Sequence, residues 1–210
     1  MNRHPANRPF PMIRTAAAAG LAAPVLFGTV LVALTIVENH FLRTLGWDPL
    51  RAPTLDWPSG LALGPYGAIM TTVFIATGLL TVVFGLGLRR ALHALPGGVW
   101  GGNLLAVAGI GLVGLASPTD PTLSTLPATL HGHIHDLAYI WLGLTLFPGM
   151  IQCGRAFKAD PRWRNLACYT WITAGLALPA FGVKGAAVYL YLAVVMTWAE
   201  IIAWRLWQQG

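Results

Sequence analysis

The sequence predicts an all-α, polytopic integral membrane bundle of six transmembrane helices, with both termini in the cytoplasm. Three observations predict it. Six apolar stretches (15–37, 66–88, 99–116, 137–153, 166–183 and 186–206) each approach the ~20 residues, at ~1.5 Å rise apiece, that cross a bilayer. The 210 residues are 56% hydrophobic and only 10% charged, where a soluble chain carries about 25% charge. The basic residues also sort to one side. With the N-terminus inside, the inner segments hold Arg3, Arg8, Arg14, Arg89, Arg90, Arg155, Lys158, Arg162, Arg164 and Arg205, and the outer ones only Arg43, Arg51 and Lys184. That partition obeys the positive-inside rule. It also accounts for the net charge of +6 through orientation and anionic headgroups, so no nucleic-acid partner is expected.

Taken in order, residues 1–14 read as a loose, Arg- and Pro-rich cytoplasmic tail on a single six-helix domain, 1–210. Span 1 is too long for a signal peptide and ends in Glu38-Asn39-His40 without a small-residue cleavage site. Pro24 marks a kink within it. Residues 40–65 form the longest loop. A short interfacial helix is expected over 40–47, with Trp47 and Trp57 in an aromatic belt. Span 2 ends at Arg89-Arg90, and Pro96-Gly97-Gly98 turns the chain into span 3. There Gly102, Ala106 and Gly109 share one face, which suits close backbone contact with a neighbouring helix. Pro127 places the start of helix 4 within a few residues, and that helix is expected to run to about Pro148-Gly149. A basic inner loop and a tight hairpin at 182–185 deliver spans 5 and 6. Trp204 and Trp207 lie at the inner interface. Cys153 and Cys168 read as packing residues in a reducing compartment. Glu200, inside span 6, is expected to form a structural ion pair with Arg89, Arg90 or Arg205.

Acids and histidines show the opposite asymmetry to the bases. Glu38, His40, Asp48, Asp56, Asp120, His131, His133, His135 and Asp136 all map outside or to the outer ends of spans. The densest piece is Leu130-His131-Gly132-His133-Ile134-His135-Asp136. In a helix, His131 and His135 stack at i, i+4, and Tyr139 continues the stripe one turn deeper, facing the bundle. His133 then points elsewhere, toward Asp136. In an extended segment all three His share a face instead. Two His one turn apart hold zinc only with a third ligand, for which Glu38, His40 and Asp120 are the candidates by topology. Asp120 is expected within reach of His131 or His135, because an isolated charge at the mouth of an apolar bundle is costly. The alternative is a structural polar lock of the same residues. No P-loop, GxSxG elbow or HExxH is present, and the Gly-rich runs lie inside apolar helices.

Several stretches resemble the bacterial family called "domain of unknown function 998". They are Ser59-Gly60-Leu61-Ala62-Leu63-Gly64-Pro65-Tyr66-Gly67, Phe74, Gly78-Leu79, Gly85-Leu86-Gly87-Leu88-Arg89-Arg90, Gly109-Ile110-Gly111, Asp120-Pro121 and the 130–136 segment. The resemblance spans nearly the whole chain. It implies a six-span protein of the bacterial cytoplasmic (inner) membrane, without an assigned activity, whose polar positions include Asp120, His131 and His135. The spacing of His131 and His135 is also similar to that in membrane hydrolases of the alkaline ceramidase type. Two readings follow. One is a small bundle that binds a lipid, quinone or partner protein, with an outer-face His/Asp cluster. The other is a zinc-dependent hydrolase that uses a metal-activated water on a lipid ester or amide at the outer leaflet.

Overall fold

The computed structural model describes residues 11–48, 58–121, 126–183 and 186–209. Its elements are helices throughout, with no strand among the described residues. They are α1 (Pro11–Val37), α2 (Asn39–Thr44), a short 3-10 helix (Pro58–Leu63), α3 (Gly67–Ala91), α4 (Gly98–Gly114), α5 (Leu130–Ala159), α6 (Arg164–Phe181) and α7 (Ala186–Trp207). Four of them are long and apolar enough to cross a membrane: α1, α3, α5 and α7. The fifth, α4, is apolar but has only 17 residues, about 25 Å at helical rise. The sixth, α6, has 18 residues and opens on Arg164 and Asn165.

Each long helix packs against its two neighbours in the chain, and α7 closes the circle against α1. Between helices that are not neighbours in the circle contacts are sparse: α3 meets α7 slightly, Phe74 of α3 meets His135 of α5, and Phe147 of α5 meets Tyr191 of α7. The bundle is therefore a ring of six helices around an axial space, with no helix at its centre. Apolar side chains also cover its outside, among them Val32, Leu79, Ile110, Leu144, Ile172 and Leu190, as expected of a surface facing lipid.

The tightest seam joins α3 to α4. A methyl group on Gly85 would lie 2.5 Å from the Ala106 nitrogen, and one on Gly109 2.6 Å from the Gly78 carbonyl oxygen. The expected glycine face of span 3 is thus realised, backbone against backbone. The seam between α6 and α7 relies on a buried hydrogen bond instead, Trp198 Nε1 donating to Thr170 Oγ1 at 3.0 Å.

One end of the ring carries the bases. Arg162 donates to Asp160 through Nη2 (2.6 Å) and Nε, which holds the Asp160 carboxyl below the usual carboxylate range. Arg205 clasps the Arg162 carbonyl at 2.6 and 3.0 Å. Arg14 lies over the Trp207 ring. The opposite end carries Glu38, the 3-10 helix and the start of α5.

Several expectations need correction. Residues 11–14 are already helical, because Pro11 has the fixed φ that suits a first helical position. Trp47 is fully buried in the core and forms no interfacial belt, although the short helix before it forms as expected. The helix expected to end near Pro148-Gly149 continues to Ala159, since neighbouring helices tolerate an internal proline. Glu200 makes no salt bridge among the described residues; Arg205 follows it by five positions, on a different face, and is engaged elsewhere. Cys153 is buried, but Cys168 is exposed and does not pack. Arg51, Asp56, Trp57 and Lys184 lie outside the described residues.

Candidate functional site

The N-terminus of α5 is built by a knot of hydrogen bonds with the loop that leaves α4. Thr129 is the N-cap, in extended conformation, and its Oγ1 accepts from the Gly132 amide at 3.1 Å. The same hydroxyl donates to Asp120 Oδ1 at 2.7 Å, while Asp120 Oδ2 accepts from the Thr129 amide at 2.8 Å. These two bonds, with His131 and His133 nearby, hold the Asp120 carboxyl below its ordinary range. Gly132 is required here: the Asp120 carboxylate occupies the space a Cβ would need.

The loop also fixes both imidazoles of the i, i+4 pair. His131 Nδ1 lies 2.8 Å from Thr129 Oγ1 and 3.2 Å from the Pro118 carbonyl oxygen. His135 Nδ1 lies 2.8 Å from the Ser117 carbonyl oxygen. A carbonyl only accepts, so Nδ1 carries the hydrogen in both rings, and in the neutral ring Nε2 is left as the acceptor. Ser117 closes the knot by donating from Oγ to the His131 carbonyl at 2.9 Å.

The two histidines differ in surroundings. His131 is exposed, because the first turn of α5 stands beyond the packed end of the ring. His135 is 5% exposed and meets Phe74 edge-on, ring centroids 6.5 Å apart. One turn deeper, Tyr139 stacks on Phe181 at 4.0 Å and donates its hydroxyl hydrogen to the Phe181 carbonyl at 2.5 Å.

His135, Asp136 and Tyr139 line the mouth of an axial cavity of about 390 Å³. Ser59 and Pro58 of the 3-10 helix, Thr119, and the apolar or aromatic side chains of Phe27, Phe74, Leu112, Leu142 and Tyr191 complete it. A second void of about 110 Å³ continues inward and shares Phe27, Leu112, Leu142, Tyr191 and Leu192 with the first. It reaches Trp198 and Thr77, whose hydroxyl is buried without a hydrogen-bond partner.

The predicted residues thus separate into groups. The structure brings Asp120 and His131 together through the Thr129 hydroxyl, and places His135, Asp136 and Tyr139 at the cavity. His133 is exposed; its amide donates to the Thr129 carbonyl at 3.0 Å, and its imidazole forms no hydrogen bond among the described residues. Glu38 belongs to another corner. It is 3% exposed, its Oε1 accepts from the Tyr66 amide at 2.6 Å, and its Oε2 finds no hydrogen-bond partner among the described residues. Its carboxylate sits where a Cβ on Gly64 would be. His40 is exposed on α2. Among the described residues no three His, Cys, Asp or Glu side chains are grouped to hold a metal ion, so the zinc reading has no third ligand there. Sequence reasoning missed Thr129, Ser117 and the aromatic lining. Thr129 carried a signal: a threonine just before an apolar helix, two residues after a proline.

Helical ring, apolar exterior and axial cavity define the class, a membrane-type helical bundle. Within that class, the chain belongs to the family described as "Protein of unknown function (DUF998)", whose model matches residues 26–207. No curated protein and no solved structure matches it.

Proposed function

We propose that this chain is a six-span protein of the bacterial inner membrane, with both termini cytoplasmic, that binds a lipid, quinone or other hydrophobic small molecule in its axial cavity. The observation that carries the reading is the ring itself: six helices enclosing about 390 Å³ of largely apolar space that opens at a polar, His-bearing end. That volume falls within the ~300–1,000 Å³ of ordinary ligand sites. Packing supports the count of six spans. α4 lies backbone-to-backbone against α3, and α6 is held between α5 and α7, so these two share the depth of the four helices that meet the length and hydropathy a span needs. The orientation rests on the basic end of the ring.

Native mass spectrometry of protein extracted from its own membranes tests the binding. The wild type should carry an apolar or amphiphilic small molecule. Leu112→Trp, which fills both voids, should lose it while keeping its helical circular dichroism. A wild-type protein recovered empty, or a Leu112→Trp protein equally loaded, would sink the proposal. Reporter fusions after Arg90 and Arg162 should read cytoplasmic and one after Ser117 external; the reverse pattern overturns the orientation.

A further inference from the structure

Three polar groups of the cavity, His135, Thr119 and Asp136, share a property that selects its ligand. His135 commits its Nδ1 hydrogen to the Ser117 carbonyl, so the neutral ring offers the cavity a lone pair at Nε2. Thr119 directs its hydroxyl hydrogen to the Asp120 carbonyl at 3.3 Å. Asp136 at the rim is acceptor-only when ionised. Ser59 and Tyr191 carry hydroxyls that serve either way. Among the described residues no Lys or Arg lines the cavity.

From this arrangement we infer that the cavity selects an amphiphile whose polar end donates hydrogen bonds, of the hydroxyl or amine class, over one that presents only an ether, ester or ketone oxygen. The inference rests on the cavity-binding reading above and narrows it. A donor end completes the lone pair at His135 Nε2. An acceptor-only end sets lone pair against lone pair and leaves His135 Nε2 desolvated without a partner. The apolar, aromatic interior takes the tail.

The probes are a long-chain fatty alcohol, its methyl ether and the matching methyl ketone, offered as an equimolar mixture to delipidated full-length protein in detergent. At about pH 8 an ordinary imidazole is neutral. Native mass spectrometry reads which probe is retained. The alcohol should be retained roughly 10-fold over the ether and the ketone, the ratio that one charge-free hydrogen bond supplies at the upper end of its range. His135→Phe keeps an aromatic ring beside Phe74 and should cut that advantage to about 2-fold or less, with ether retention unchanged. Equal retention of all three probes, or preference for the ketone, overturns the donor rule while the cavity reading stands. A His135→Phe protein that keeps the full advantage overturns the role of His135. Failure to retain any probe overturns the cavity reading and this inference together. The wild-type ratio decides the donor rule even where the variant does not fold.

Discussion

Glycine-to-alanine substitution should have opposite signs at two positions in this bundle. At Gly109 in α4, the added methyl would stand 2.6 Å from the Gly78 carbonyl oxygen and 2.7 Å from the Val82 nitrogen. Carbon–oxygen contacts in packed helices settle near ~3.3 Å, so α3 and α4 must part by roughly 0.7 Å. A gap of that order forfeits about a quarter to a half of each dispersion contact along the seam. Overpacking of this kind costs about 1–3 kcal/mol, against a helix-propensity gain of about 1 kcal/mol. The net expectation for Gly109→Ala is a loss of up to about 2 kcal/mol. At Gly175 in α6, an added methyl meets nothing within 4 Å. Only the propensity term remains, and Gly175→Ala should stabilise by up to about 1 kcal/mol. Thermal unfolding in a mild detergent, followed by tryptophan fluorescence, reads both. For a chain of this size, Tm should fall by up to about 8 °C for the first variant and rise by up to about 4 °C for the second. Two shifts of the same sign would refute the backbone-contact account of the seam.

Two other perturbations probe the knot above the cavity. Thr129→Val removes the N-cap and should cost about 1 kcal/mol, with faster amide exchange in the first turn of α5; Thr129→Ser keeps the hydroxyl and should restore both, and a Ser variant as weak as Val would contradict the capping role. Asp120 and Asp160 both have carboxyl pKa values held below the ordinary range by their hydrogen bonds. The folded-state pKa is lower than the unfolded one, so their stabilisation is present above about pH 4 and is lost as pH falls through the folded-state values. Tm measured across that acid window should decline, and Asp120→Asn with Arg162→Ala should flatten the decline. An unchanged slope in the double variant would assign the acid sensitivity to other groups.

Much of the architecture was legible because apolar length and the placement of arginine are one-dimensional signals. The start of α5 close to Pro127, the short helix after Glu38 and the glycine face of α4 follow from local signals of this kind, whereas the continuation of α5 to Ala159 does not. The burial of Trp47 was not legible, since a tryptophan beside a prolines-and-loop segment looks the same whether it meets headgroups or the core. The candidate site was half legible. The i, i+4 spacing put His135 and Tyr139 on one stripe, yet that stripe runs from solvent at His131 into the cavity at His135, and only the depth of the packed end decides where the change falls. The void itself has no sequence signature. It arises because six helices close into a ring with nothing at its centre, a property of the whole arrangement and of no single segment.

The ring order is also the chain order. Five of its six seams join helices adjacent along the chain and can form hairpin by hairpin as the chain enters a bilayer. Only the seam between α1 and α7 joins distant segments, and it must wait for α7. Before that closure Phe27 on one side and Tyr191 on the other have no shared space to line, and the cavity does not exist. Assembly of the fold and creation of the cavity are therefore one event at one seam. A molecule seated inside bridges both edges of the gap, and its binding energy adds directly to the latch that keeps the circle shut.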